Sequence, residues 1–377
     1  MLSWLQSLSP VQTAFWWVLI AALAVQLFYY FFFFIRLILI KEGQIPTSSE
    51  GVSVVTCARN EEDNLIENVP LIMDQDYPEF ELIIVNDNSW DATEEILEAF
   101  KVKYKNLKVV HLDEQKHRMC GKKIALTLGI KAASYEKVLL TDADCKPCSN
   151  RWIAEMTKHL NERSDIVLGF SPYKKEKGLL NRLIRFDAFT IGVQYISFAQ
   201  AGTPYMGVGR NMAYKKSTFF SVGGFKKHYS IASGDDDLFV QQVASKKNTA
   251  VSYNPESQTV SSPKRSWKEW VRQKRRHMTT SGHYRFLHKV LLTIFPFSYY
   301  TFIIALIALL AMQVNPIVII SILALRLIVQ VSILFGSARR MNQTDLAFFA
   351  PVWELLLMLI QPLILLSNSI NKPKQWN

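Results

Sequence analysis

Eight residues decide the fold class of this chain: Lys137-Val138-Leu139-Leu140-Thr141-Asp142-Ala143-Asp144. The first five predict a buried β-strand, and two carboxylates follow at the point where that strand ends. Ligands of open α/β sheets bind just outside the carboxyl ends of the strands. Alternation along an extended chain places Asp142 and Asp144 on the same side. Taken alone, the pair fits a ligand site and equally a polar strand end that turns before Pro147.

This strand is one of several that alternate with helices. Short apolar runs rich in β-branched residues predict strands at 52–56, 82–85, 107–110 and 138–141. Amphipathic patterns predict helices at 61–75, 91–104 and 121–133. The alternation predicts an α/β domain whose sheet is parallel and built from strand–helix–strand units.

Polar side chains also follow the first two predicted strands. Asn60 and Glu61 come after the first, and Asp87 comes after the second. Asp91 fits the cap of the next helix, whereas Asp87 fits a hydrogen-bond partner for a ligand. The ends of parallel strands share one edge of the sheet, so we expect these groups to lie near Asp142.

Apolar residues are concentrated at the two ends of the 377-residue chain. The runs 11–40, 291–312 and 316–335 are each long enough to span a bilayer. A fourth run, 346–366, contains Glu354 and two prolines, and fits a span, an interfacial helix or a re-entrant segment. These runs predict an integral membrane protein.

Basic residues indicate the orientation of the protein in the membrane. None precedes the first apolar run, whereas Arg36 and Lys41 lie at its far end. The positive-inside rule then predicts an anchor over 1–41, a cytoplasmic domain over 42–286 and a membrane region of two to three helices over 287–377. The net charge of +11 is concentrated near the membrane-flanking segments, which favours contact with membrane lipid and argues against nucleic acid.

Cysteine usage gives no sign of a structural zinc site. Cys145 and Cys148 have the spacing of half such a site, but no second pair completes it. We therefore expect small, partly buried thiols in a reducing compartment.

Two further motifs carry candidate binding residues. Lys122 precedes a predicted helix, where it fits either a phosphate ligand or a solvated side chain. The stretch 207–211 is rich in glycine but lacks the dinucleotide fingerprint, so we expect a loop close to a substrate that presents Arg210.

Three adjacent carboxylates follow Gly234, namely Asp235, Asp236 and Asp237. Their mutual repulsion should raise at least one pKa unless a metal or a cation compensates. A raised pKa suits a general base that works near neutral pH. The alternative is a helix start, where the macrodipole favours acids.

An amphipathic helix is predicted within 264–285. Its tryptophans and basic residues are typical of a helix that lies in a membrane interface. Alternatively, Gln273 and Arg276 bind the diphosphate of a nucleotide, because arginine pairs well with phosphate oxygens.

The order and spacing of these motifs resemble the membrane-bound branch of the family 2 glycosyltransferases, which includes cellulose, hyaluronan and poly-N-acetylglucosamine synthases and ceramide glucosyltransferase. The resemblance covers about residues 50 to 285, together with membrane helices on both sides. It rests on the motifs at 54–62, 85–93, 121–126, 142–144, 235–237 and 273–277.

The resemblance implies a GT-A fold, with a mixed sheet, helices on both faces and flanking transmembrane helices. It also implies inverting transfer of a sugar from a nucleotide-sugar donor by a single displacement, with Mg²⁺ or Mn²⁺ as cofactor. It assigns Glu61 and Asp87 to the nucleoside, Asp142 to the nucleotide, and Asp144 to the metal and diphosphate. Gln273 and Arg276 match a QxxRW motif that helps to hold the donor.

The sequence departs from the family pattern in two places. The usual Glu-Asp pair is replaced by the Asp235 cluster, and anchoring on Leu238 makes Asp235 the base while anchoring on Gly234 makes it Asp236. We favour Asp235. The final tryptophan of QxxRW is His277, which lowers the expectation of processive polymer synthesis.

Together these features predict a glycosyltransferase of the bacterial inner membrane with a cytoplasmic catalytic domain. Its donor is expected to be a UDP-sugar, and its acceptor a lipid-linked or membrane-presented glycan. The alternatives are a processive polysaccharide synthase and a non-catalytic membrane scaffold that binds nucleotide sugars.

Overall fold

The computed structural model describes residues 3–40, 49–112, 121–231 and 233–370. Lys41 and most of the polar stretch between the anchor and the first strand lie outside the described residues.

Nine strands occur in the described part of the chain. They are β1 (Val52–Ala58), β2 (Phe80–Asn86), β3 (Leu107–His111), β4 (Lys137–Leu140), β5 (Cys145–Pro147), β6 (Ile166–Gly169), β7 (Met212–Lys215), β8 (Thr249–Ser252) and β9 (Thr259–Ser261).

Seven of these strands form one sheet in the order β3-β2-β1-β4-β7-β6-β8, and β5 pairs with β9 separately. β1 to β4 are parallel to one another, as the sequence predicts. β7 runs antiparallel to both β4 and β6, so the sheet as a whole is mixed. A four-residue run such as β7 shows the same apolar pattern in either direction, so its direction is set by the connections around it. The mixed sheet implied by the resemblance is present.

Fifteen α-helices occur in the described residues, together with a π-helix at Tyr29–Phe34 and short 3₁₀ turns at Lys226–His228, Pro255–Ser257 and Ser281–His283. The α-helices are α1 (Ser3–Gln6), α2 (Pro10–Phe28), α3 (Arg36–Leu39), α4 (Glu62–Met73), α5 (Thr93–Lys103), α6 (Gly121–Ala132), α7 (Trp152–Thr157), α8 (Leu179–Gln200), α9 (Lys216–Ser221), α10 (Asp237–Val243), α11 (Trp267–His277), α12 (Phe286–Ala311), α13 (Pro316–Arg340), α14 (Thr344–Ala347) and α15 (Ala350–Ile370).

Helices cover both faces of the sheet. On one face, Leu65 of α4 and Trp152 of α7 pack with Val54. On the other face, Ile130 of α6 and Phe189 of α8 belong to the core that includes Val55. The central strands are therefore buried on both sides, which explains why they are almost continuously apolar in sequence.

Four helical segments are long and apolar enough to cross a membrane: Pro10–Leu39, Phe286–Ala311, Pro316–Arg340 and Ala350–Asn368. The helix predicted near 264–285 is shorter than expected, because α11 covers only Trp267–His277.

A polar network lies among these membrane segments. The guanidinium of Arg326 on α13 pairs with Glu354 of α15 at 2.6 Å and donates to Gln26 of α2 at 2.8 Å. Gln330 also donates to Glu354, at 2.7 Å, and the ring of Tyr299 lies 4.4 Å from the guanidinium carbon. Arg326 is 1% exposed. The network therefore joins four apolar helices, α2, α12, α13 and α15, around a buried arginine.

Candidate active site

The cleft at the carboxyl ends of β1, β2 and β4 collects the charged groups that the sequence predicts there. Cys57, near the end of β1, lies at the bottom of this cleft. Burial raises the pKa of the Cys57 thiol; Lys122 opposes this, and Asp142, Asp87 and Asp235 reinforce it. Four charged side chains from separate parts of the chain thus lie around one partly buried thiol.

Lys122 joins two of these carboxylates. Its ammonium group lies 2.5 Å from Asp142 and 3.4 Å from Asp235. Burial acts to lower the pKa of Lys122, but Asp142 and Asp235 outweigh it and raise that pKa well above its usual value. Burial likewise acts to raise the pKa of Asp235, yet Lys122 holds it below the usual value. Lys122 and Asp235 are therefore both ionised in the free protein.

Asp142, Asp144 and Cys145 present ligand atoms that all lie within 4.8 Å of one another. Burial, followed by the neighbouring Asp142, raises the pKa of Asp144. Two close carboxylates favour a divalent cation between them, and their oxygens are the ligands that Mg²⁺ and Mn²⁺ prefer. Burial, followed by Asp144, raises the pKa of the Cys145 thiol, so that thiol stays protonated. The residues present fit a hard divalent metal held by carboxylates.

Asp87 lies at the same edge of the sheet. It is 5% exposed, and burial raises the pKa of its carboxyl group while Arg59 opposes the rise. No hydrogen bond joins its carboxylate to another described residue. A buried polar group normally has a partner, so an external donor is expected to complete this site.

Glu61 and Asn60 differ in how they are held. Glu61 accepts a hydrogen bond from Asn64 at 2.5 Å, and burial raises its pKa with smaller contributions from Asp144 and Asp142. The side-chain oxygen of Asn60 instead accepts from the backbone N–H of Trp90 at 3.0 Å. Asn60 thus joins the loops after β1 and β2, whereas Glu61 faces the acidic pair.

The acidic motif begins at Gly234, whose φ of 97° suits glycine. Asp236 accepts two backbone N–H bonds, from Gly209 at 3.0 Å and from Asp237 at 2.8 Å. Burial, reinforced by Asp235 and Asp237, raises the pKa of Asp236 to about 7. A side chain at position 209 would contact Asp235 and Asp236.

Asp237 has a structural role that sequence reasoning missed. Its carboxylate accepts hydrogen bonds from the hydroxyls of Thr280 and Tyr284, the latter at 2.7 Å. These partners lie between α11 and α12, so Asp237 ties the acidic motif to the start of a membrane helix. Nothing local in the sequence pairs residues 43 and 47 positions apart.

Lys123 was likewise missed as a functional residue. Its ammonium group donates to the backbone carbonyls of His228, Ile231 and Ser233, at 2.8, 2.6 and 2.7 Å. It therefore holds the segment that leads into the acidic motif. The two adjacent lysines thus have different roles. Lys122 faces the cleft, whereas Lys123 holds the segment that precedes the acidic motif.

Arg210 lies against the metal-ligand candidates. Its guanidinium donates to the carbonyl of Ser171 at 2.7 Å and stacks 4.4 Å from the centre of the Tyr173 ring. Burial acts to lower the pKa of Arg210, but neighbours that include Tyr173 and Asp144 raise it. A fixed cation is thus placed near Asp144. Sequence reasoning expected Arg210 near a substrate but missed Tyr173.

Gln273 reaches the same ring, because its side-chain nitrogen donates to the Tyr173 hydroxyl at 3.2 Å. Arg276, one turn further along α11, lies 3.5 Å from the ring nitrogen of His277. Gln273 thus joins the cluster around Arg210, while the contact seen for Arg276 is with its own helix neighbour.

Comparisons with known proteins agree with this geometry. The family model "Glycosyl transferase family 2" matches residues 53–223, and "Glycosyl transferase family group 2" matches residues 148–360. Two relatives from Staphylococcus epidermidis, both named poly-beta-1,6-N-acetyl-D-glucosamine synthase, are 36% identical over 198 residues and 30% identical over 212 residues. These matches cover 52% and 55% of this chain but only 44% and 47% of the relatives.

One solved structure shares the fold over almost the whole chain. It is the mannosyltransferase PcManGT from Pyrobaculum calidifontis in complex with GDP-Man and Mn²⁺, with a TM-score of 0.58 and 20% identity. The similarity covers 91% of this chain and 98% of that one. The second family model matches more than half of this chain, and apolar helices flank the catalytic fold. The chain is therefore a membrane-bound member of the family 2 glycosyltransferases.

Proposed function

We propose that this enzyme transfers a sugar, with inversion, from a UDP-sugar to a lipid-linked or membrane-presented glycan acceptor at the cytoplasmic face of a bacterial inner membrane. The observation that carries the proposal is Lys122, which lies between Asp142 on the donor side and Asp235 on the acceptor side. When a donor binds, the ammonium group of a lysine in this position can move toward the negative charge of the donor diphosphate.

The donor pocket is built from three groups of residues. Asp87 and Glu61 accept hydrogen bonds from the nucleoside, and Asn60 holds their loops in place. Asp142 and Asp144 would hold Mg²⁺ or Mn²⁺, which would supply positive charge to the donor diphosphate. A solved neighbour with the same fold was captured with GDP-Man and Mn²⁺, which supports a nucleotide-sugar donor and a metal here.

The cationic side of the pocket is formed by Arg210, Gln273 and Arg276. Arg210 is already fixed by Ser171 and Tyr173, and Gln273 holds the same tyrosine. Arg276 lies in the same helix as Gln273 and turns toward the diphosphate when donor is bound. Arginine suits this role because it pairs with phosphate oxygens in fixed geometry.

We assign the general base to Asp235. Both oxygens of Asp236 already accept backbone N–H bonds, so that carboxylate is committed to loop structure. Asp235 has Lys122 as its partner at 3.4 Å, and that partner is released once the diphosphate draws the lysine away. The Asp235 carboxylate then accepts the proton of the acceptor hydroxyl as the new bond forms.

A processive polysaccharide synthase is the second candidate, because the matched relatives are named as synthases of a polymer. Two features favour single addition. His277 occupies the place of the family tryptophan, and apolar side chains such as Leu19 of α2 and Phe302 of α12 fill the contact between membrane helices.

A donor screen tests the proposal. Membranes that contain the protein are incubated with UDP- and GDP-sugars, with and without Mn²⁺, and release of nucleoside diphosphate is measured. We expect release from a UDP-sugar that depends on the metal and that is weaker in Asp144→Asn at the same Mn²⁺ concentration. No release from any donor would contradict the assignment. The length of the product then separates single addition from polymerisation.

A further inference from the structure

A cavity of about 370 Å³ lies outside the catalytic cleft, where α14 and the start of α15 meet the first turns of α8. Its walls include Lys175, Lys177 and Arg182 from the catalytic domain, Phe349 from the turn before α15, and Trp353 from α15. Neither the family motifs nor the proposed reaction uses it.

The inner wall of the cavity holds a cluster of ion-paired side chains. Arg185 forms a two-point contact with Asp345, at 2.8 and 2.9 Å, and also donates to Gln343 at 3.0 Å. Lys175 lies 3.0 Å from the same Asp345 carboxylate. The hydrogen bond from Arg185 holds the pKa of Asp345 down to about 2, so the carboxylate stays ionised. This cluster closes the back of the cavity and fixes α14 to α8.

The outer wall is not neutralised. Lys177 and Arg182 are exposed and form no ion pair with a described residue. The four cations of the cavity face only two acids, Glu176 and Asp345, so two positive charges remain in excess. An anion is therefore the ligand that the cavity favours.

The rim of the cavity is apolar and exposed. Phe348, Phe349 and Val352 are 72%, 50% and 52% exposed. An exposed apolar stripe continues along α15 through Leu355, Leu359, Leu363 and Leu366. Aromatic residues beside cations are typical of the boundary between headgroups and acyl chains.

Contacts on both sides of α15 tie it to the catalytic domain. Just before its start, Asp345 of α14 binds Arg185 of α8. At its far end, the side chain of Asn368 accepts from Arg275 of α11 at 2.9 Å and donates back to its carbonyl at 2.9 Å. The cavity therefore lies beside the catalytic domain, where an apolar helix that is long enough to cross a membrane begins.

We propose that this cavity binds the phosphate headgroup of an anionic glycerophospholipid, with Lys177 and Arg182 on the phosphate and Phe348 and Phe349 against the acyl chains. The lipid is favoured over a soluble anion because the cations and the exposed apolar rim form one continuous surface. Basic pockets beside membrane helices are known to bind anionic headgroups. Binding does not require sugar transfer, so the inference stands apart from the proposed function.

Lipid retention by the full-length protein in detergent tests the inference. Native mass spectrometry compares phosphatidylglycerol with phosphatidylcholine of the same acyl chains, and glycerol 3-phosphate serves as a soluble competitor. We expect at least fivefold preference for phosphatidylglycerol and a loss of about tenfold in Lys177→Glu/Arg182→Glu. The conservative pair Lys177→Arg/Arg182→Lys should retain the lipid.

A matched control carries the same change of net charge elsewhere. Lys105→Glu/Lys131→Glu alters two exposed lysines of the catalytic domain, and its lipid retention should stay within twofold of wild type. Melting temperatures confirm that each variant folds. Equal retention of the two lipids, equal losses in both glutamate variants, or displacement of lipid by millimolar glycerol 3-phosphate would each overturn the inference.

Discussion

Substituting Asp235 and Asp236 separately by asparagine distinguishes a catalytic carboxylate from a structural one. The two residues are adjacent, yet their partners differ. Asp235 faces Lys122 at 3.4 Å, whereas Asp236 accepts backbone N–H bonds from Gly209 at 3.0 Å and Asp237 at 2.8 Å. The same substitution should therefore have different consequences at the two positions.

In Asp235→Asn the acceptor hydroxyl loses its base, while Lys122 keeps Asp142 as a partner at 2.5 Å. A positioned general base contributes roughly 10²–10⁴-fold to the rate, or about 3–5 kcal/mol of transition-state stabilisation. We expect kcat to fall about 10³-fold, with the KM for donor and the melting temperature close to wild type.

In Asp236→Asn one of the two backbone bonds is replaced by a contact between two N–H donors. An unsatisfied buried donor costs about 1–3 kcal/mol, so this variant should melt at a lower temperature. Its kcat should fall only about tenfold, because the loop that presents Asp235 is displaced while the base itself remains.

The assay is steady-state release of nucleoside diphosphate with acceptor present, together with donor binding by calorimetry and thermal melting in detergent. The reasoning would be refuted by an Asp235→Asn enzyme that retains more than a tenth of wild-type kcat. It would also be refuted by an Asp236→Asn enzyme that is inactive yet binds donor and melts like wild type.

Three further predictions concern the metal, the pH dependence of stability and the membrane network. Asp144→Asn should raise the Mn²⁺ concentration for half-maximal nucleotide release tenfold or more, and an unchanged metal titration would contradict the assignment. Asp236 keeps a proton to about pH 7 when folded but releases it near 3.8 when unfolded, so stability falls as pH rises between these values. Wild type should therefore lose roughly 2–3 kcal/mol relative to Asp236→Asn between pH 5 and 7, and parallel pH profiles in thermal melts would exclude this. Glu354→Gln leaves Arg326 buried without its counter-charge and should destabilise the protein by about 2–4 kcal/mol, whereas Glu354→Met combined with Arg326→Met should recover most of the loss in the same melts.

Much of the catalytic domain could be predicted from local sequence. The four strands ahead of Asp142 are confirmed within a few residues, because β-branched apolar runs buried on both faces have few alternatives. The convergence of Asp87, Asp142 and Asp144 on one cleft follows from the same fact, since parallel strands end at one edge.

Other features depend on contacts between distant residues. The apolar pattern of β7 does not reveal which way the strand runs in the sheet, so its antiparallel pairing with β4 was not predictable. The bridge from Lys122 to Asp235 joins residues 113 positions apart, and Lys123 reaches carbonyls more than 100 positions away. The local periodicity of the sequence does not reveal such pairs.

The sequence by itself determined the strands, the acidic motifs at their ends, the apolar helices and hence the family. The tertiary structure decided that Asp235 pairs with Lys122, whereas Asp236 accepts backbone N–H bonds within its loop. It also decided that α14 and the far end of α15 both contact the catalytic domain. The physical reason is that composition and spacing fix what a segment can bury, whereas charge pairing and hydrogen bonding are settled only when distant segments meet.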